Sequence, residues 1–167
     1  MAFAIMTPSV GFPAINSFVP VSDGYVEPVP YGTIVTATDP TYGAGEFIFL
    51  KGAASTVVGS VVVYNSDDFS TTLAAANAIG PIAIAMSASV ADKAGWYQIS
   101  GKGVVKAGTV ADDALVYLTA TPGQVDDAVV AGDRVKNAKF ASADGTPSAG
   151  LAEIEIQRPW VDDASAA

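Results

Sequence analysis

The sequence contains no cysteine and no histidine. Without cysteine there is no disulfide framework, no thiolate nucleophile and no thiolate zinc site. Without histidine the chain lacks the commonest general base near neutral pH and the commonest metal ligand. Charge is scarce, at 15% of residues, and mostly of one sign: 17 acidic against 8 basic side chains give a formal net charge of −9. No Lys/Arg cluster offsets that excess, so the chain repels phosphate backbones and anionic lipid surfaces. Neither a nucleic-acid partner nor a membrane partner is expected. The first basic residue is Lys51, so the stretch Met1–Asn16 lacks the basic start of a secretory signal. No apolar run approaches the ~20 residues of a membrane span. A soluble protein made in the cytoplasm is the expectation.

What is present is apolar and punctuated. Half of the 167 residues are hydrophobic, with 16 Gly and 10 Pro dispersed among them. That is enough apolar material for the core of one domain. The acidic balance serves solubility, which suits a protein packed at high local concentration.

Residues 1–44 stand apart. They hold six of the ten prolines, Pro8, Pro13, Pro20, Pro28, Pro30 and Pro40. Each fixes φ, removes a donor and pushes its predecessor out of the helical region, which predicts an extended segment. Yet the segment is studded with Phe3, Ile5, Phe12, Ile15, Phe18, Val19, Tyr25, Val29 and Tyr31. An extended apolar strip is costly in water unless it lies on something. Two seats are open: the chain's own body, or a neighbouring subunit on which the segment docks as an arm. Under the second reading Phe12, Phe18, Tyr25 and Tyr31 are the candidate protein-contact residues.

From Thr33 onward the apolar period is two and the punctuation is glycine. Strands are predicted over 33–38, 46–51, 57–65, 71–75, 82–87, 96–100, 103–107, 115–119, 134–141 and 150–157. The expected fold is all-β: a β-sandwich or barrel-like body of short antiparallel strands with an extended, proline-containing N-terminal arm. The expected organisation is an arm over 1–44, a body over 45–161 with its first strand starting as early as residue 33, and a flexible acidic tail over 162–167. A short helix is a competing reading for the Ala-rich stretch Thr72–Ile79, ended by Gly80-Pro81, and for Val90–Ala94.

Several residues invite a chemical reading. Four Asp-Asp pairs (67-68, 112-113, 126-127 and 162-163) suggest a hard cation, but the spacing of a calcium loop is absent. Asp at turns also bonds its own backbone, which is the simpler account. Glu153 and Glu155 alternate with Ile154 and Ile156, the pattern of a solvated sheet face rather than an acid–base pair. Gly101-Lys102-Gly103 is too short for a phosphate cradle and predicts a turn or bulge. Trp96, Tyr97, Tyr117 and Trp160 are candidates for a sugar-stacking platform, though Trp96 and Tyr97 point to opposite faces, one expected in the core and one at the surface. No enzyme, no cofactor and no metal is expected.

Four segments carry a resemblance. They are Ile82–Met86, Ala94–Gly101, Lys102–Gly108 and Gly145–Ile156, preceded by the apolar stretch Gly45–Tyr64. Their layout, over about residues 33–160, resembles the head decoration (capsid cement) proteins of tailed bacteriophages. The resemblance implies a β-rich homotrimer on the capsid exterior of the virion, with the major capsid protein as partner and bridging of capsomers as its work. The alternatives are another virion component (tail tube, adaptor or minor capsid protein) or a surface carbohydrate-binding module.

Overall fold

The computed structural model describes residues 3–6, 11–21 and 29–162. These residues form twelve strands and, among the described residues, no helix: β1 (Ala4–Ile5), β2 (Phe18–Pro20), β3 (Ile34–Asp39), β4 (Gly43–Lys51), β5 (Val61–Tyr64), β6 (Thr71–Leu73), β7 (Gly80–Ala85), β8 (Lys93–Lys106), β9 (Leu115–Leu118), β10 (Val125–Asp126), β11 (Arg134–Phe140) and β12 (Leu151–Val161). Every strand pairing is antiparallel, and the main path runs β1-β3-β4-β8-β7-β12-β11-β9-β10. β8, β7 and β12 also pair with one another in a closed ring, which gives the body its barrel-like character. The fold is all-β, as the period-two pattern predicts.

The turns follow from their residues. Between β3 and β4, Asp39 Oδ1 accepts the backbone N–H groups of Thr41 and Tyr42 at 2.7 and 3.0 Å, folding Pro40 into a tight reversal. Of the two strands it joins, β3 is buried on one face only, whereas β4 is apolar on both faces over Phe47–Leu50. Phe47 and Phe49 point one way with Trp96, whereas Ile48 and Leu50 point the other way with Tyr97 and Ile99. A strand buried on both sides shows a continuous apolar run rather than alternation, which is what Phe47–Leu50 presents.

The far face of β4 and β8 is covered by β5 and β7 through Val62, Ala83 and Ala85. The near face is covered by the N-terminal segment. Ile15, Val19 and Val29 are buried there, with Phe3, Phe12 and Tyr31 packed at the margin. β1 pairs with β3, β2 pairs with β8, and the Trp96 indole donates to the Pro13 carbonyl at 3.0 Å. In its described residues, then, the proline-containing segment lies on its own body. A third apolar cluster, centred on Ile84, Val116, Leu118, Phe140, Ile154 and Ile156, joins β7 to β9, β11 and β12.

The strand expected over 71–75 is present as β6, neither of the two competing helix readings holds, and one strand division needs correction. Thr72–Ile79 is β6 followed by a loop, because its backbone donors go elsewhere: Ala74 N–H to Val61 and Ala76 N–H to Thr119. Asn77 there has φ 65°, outside the helical region. Val90–Ala94 is a turn that leads into the start of β8 at Lys93, with Lys93 N–H on the Val90 carbonyl and Asp92 at φ 65°. The strands predicted over 96–100 and 103–107 are a single strand, β8, that bends at Gly101 and continues.

Candidate functional site

Three of the four candidate contact residues lie among the described residues, and two of them, Phe12 and Tyr31, pack on the cluster of Phe49 and Trp96. Phe12 is half-buried, its ring centroid 6.1 Å from that of Trp96. Tyr31 stacks on Phe49 at 6.0 Å, with the Lys51 ammonium 5.2 Å from its ring. Phe18 is exposed, and Lys93 Nζ sits 3.7 Å from its ring centroid. Tyr25 lies outside the described residues.

In each aspartate pair at least one described carboxylate is engaged by another group of the chain, while Asp163 lies outside the described residues. Asp68 Oδ1 accepts the Ser70 hydroxyl at 2.7 Å and the Ser70 N–H at 3.0 Å. Asp113 pairs with Lys139 at 2.6 Å, Asp127 accepts the Ala111 N–H, Asp126 accepts the Ala128 N–H, and Asp162 pairs with Lys136. No three of the metal-ligating side chains (His, Cys, Asp, Glu) come together among the described residues. The two bonds from Ser70 hold the Asp68 carboxyl below the ordinary aspartate range. Their contribution to the fold is present above the ordinary carboxylate pKa and is lost as pH falls through the lowered value. An NMR titration is expected to find Asp68 ionising at lower pH than a free aspartate, with Ser70→Ala moving it back up. An unmoved titration in that variant counts against the assignment.

The aromatic candidates also separate. Trp96 and Tyr97 do point to opposite faces, but both are fully buried, because a layer covers each side of β8. The Tyr97 hydroxyl ends beside Thr71, Ser89 and Thr56 with no hydrogen bond of normal geometry, and burial pushes its pKa up. Tyr117 is buried as well, so Trp160, at 45% exposure, is the member of the four at the surface.

Two surface features remain. The first is an apolar loop end. The β10–β11 connection exposes Ala128, Val129, Val130 and Ala131 in sequence, with Val129 at 81% exposure. Buried Asp133 holds it to the 74–79 loop: its Oδ1 accepts the Asn77 N–H at 2.6 Å, and Ile79, two residues on, is also exposed. The sequence marks this stretch only as Ala-Val-Val-Ala between Asp127 and Gly132, a short apolar run with neither strand nor helix length. The second is a cleft of about 220 Å³ between Ile34, Tyr64, Pro81, Arg158 and Trp160.

No protein-family model and no curated protein matches the chain.

Proposed function

We propose that this protein is a structural component of a tailed-phage virion: a decoration protein that binds the outside of the capsid as a homotrimer and stabilises the shell by bridging capsomers. The observation that carries the reading is the loop end of Ile79, Val129 and Val130. Small β-branched side chains held out on two linked loops are costly in water and are offset when a partner protein covers them. The Asn77–Asp133 bond fixes the two loops together, so little conformational freedom is lost on docking. The acidic balance keeps such a protein soluble at high copy number. The layout resemblance of residues 33–160 supports the same role, with the major capsid protein as partner and the virion exterior as location.

Co-sedimentation with undecorated heads of the phage that encodes the protein tests the reading. Saturable binding is expected, at a copy number matching the symmetry axes of the shell. Because Val129 and Val130 are exposed, Val129→Asp with Val130→Asp leaves the fold intact and lowers head affinity at least about tenfold. Unchanged affinity in that variant, or no binding by the parent chain, defeats the proposal and turns attention to the tail or adaptor role.

A further inference from the structure

The cleft beside Trp160 is built by an irregularity in the sheet. Between β11 and β12 the register shifts: Lys136 faces Trp160 and Ala138 faces Ile156, so Gln157, Arg158 and Pro159 oppose Asn137 alone. Arg158 and Asn137 both take positive φ, 46° and 59°, to make the bulge. Beyond it Trp160 is exposed while its neighbours Pro159 and Val161 are buried. Its strand partner across β7 is Pro81, and Tyr64 of β5 lines the same cleft. Tyr64, Ser66 and Pro81 also line an adjoining depression of about 360 Å³ that reaches Asn65, Ser70 and Thr72.

Three properties narrow the ligand. The Tyr64 hydroxyl makes no hydrogen bond among the described residues, and burial raises its pKa, so a partly desolvated donor and acceptor is left without a partner. The Arg158 guanidinium, which lines the cleft, is held by Glu46 at 3.1 Å, so its charge is already neutralised. The backbone of β7 is paired with β5 and with β12, which leaves no free edge for an added peptide strand. An exposed indole, an unpaired phenol, a rim of amide and hydroxyl side chains, and no net charge suit a ring with an apolar C–H face and hydroxyls at its edge.

We propose that this cleft binds a neutral oligosaccharide, with Trp160 stacked on one sugar ring, the Tyr64 hydroxyl bonded to a sugar hydroxyl, and the next ring extending towards Asn65 and Thr72. The cleft shares no lining residue with Val129 and Val130, whereas Ile79 of the loop end borders the adjoining depression, so the proposal is read on sugar binding rather than on capsid attachment.

The test titrates the whole chain with maltohexaose, cellohexaose, chitohexaose and mannohexaose, followed by tryptophan fluorescence and by calorimetry. Trp96 is fully buried, so the responding indole is Trp160. At least one sugar is expected to bind saturably. Trp160→Ala should weaken it at least about tenfold and Tyr64→Phe about three- to tenfold, with unchanged circular dichroism. Should Trp160→Ala not fold, Tyr64→Phe, which keeps the ring, decides the matter. Head binding by Tyr64→Phe is expected to match the parent. Failure of all four sugars, or unchanged affinity in Tyr64→Phe, overturns the proposal. Binding of decaproline in their place assigns the cleft to a proline-rich peptide instead and overturns it equally.

Discussion

Deleting residues 1–31 is expected to destroy the cooperative fold rather than trim an accessory arm. Ile15, Val19 and Val29 are at most 7% exposed, and they lie in one cluster with Phe47, Phe49 and Trp96. Burying a side chain of this size contributes ~1.5–3 kcal/mol, so these three alone approach the ~5–15 kcal/mol that holds an average domain together. The deletion also uncovers two phenylalanines and a tryptophan that are otherwise fully buried, and it takes away the Pro13 carbonyl that accepts the Trp96 indole N–H. Guanidinium unfolding should show a lost or strongly lowered transition, and a hydrophobic dye should bind the truncated chain. The point variant Ile15→Ala, which keeps the chain length, should cost ~2–5 kcal/mol. A truncated protein that unfolds at the parent's midpoint would show that the segment's seat on β4 and β8 carries little of the stability.

That result bears on function. A segment needed to complete its own core is not free to bridge to a neighbouring subunit. Among the candidate contacts, Phe12 and Tyr31 are engaged within the chain by Trp96 and Phe49. Attachment to a partner then falls to surfaces outside this seat, which is why the loop end at Val129 and Val130 carries the proposed capsid contact.

The strands with strict alternation are the ones legible from sequence. Ala152, Ile154 and Ile156 are buried in β12 where a period of two places them, and Glu155 between them is exposed. Alternation reports the two faces of a strand but not what lies over them. The opposite orientation of Trp96 and Tyr97 is therefore visible, whereas the burial of both depends on the N-terminal segment and β5 arriving from far along the chain. In the Ala-rich stretch after Thr72 the competing helix reading gives way to the strand reading for the complementary reason. Helix preference is a few tenths of a kcal/mol per residue, about the size that a handful of bonds to distant strands overrides. The candidate sites are less legible still. Val129 and Val130 differ in sequence from any buried Val pair only by their bracketing Asp127 and Asp133, and the Trp160 cleft arises from a register shift against Asn137 that no local pattern encodes.

The second large effect is expected at Gly101, where β8 changes partners. Up to Ser100 the strand pairs with β4, and from Ser100 onward it pairs with β12. The β4 register slips there: Glu46 faces Ser100 and Phe47 faces Gln98, so Ile99 is an extra residue on β8, and the bulge turns the strand away. Gly101 completes the bend at φ 98°, a conformation that L side chains rarely adopt. A Cβ there would lie 2.5 Å from the Ala44 carbonyl oxygen and 2.9 Å from the Gly45 Cα, both of them backbone and both fixed in the sheet. Gly101→Ala combines a conformational cost of ~1–2 kcal/mol with an overlap cost of ~1–3 kcal/mol, about 3 kcal/mol together. For a chain of this size that lowers Tm by ~6–12 °C. Gly145→Ala is the matched control, because Gly145 has φ 88° and a methyl group there would meet nothing within 4 Å. It should suffer the conformational cost alone, a drop of a few degrees. Equal losses in the two variants would show that the close approach of β4 and β8 is not what demands glycine at this bend; a clearly larger loss at Gly101 would show that the passage of one strand between two partners rests on the missing side chain.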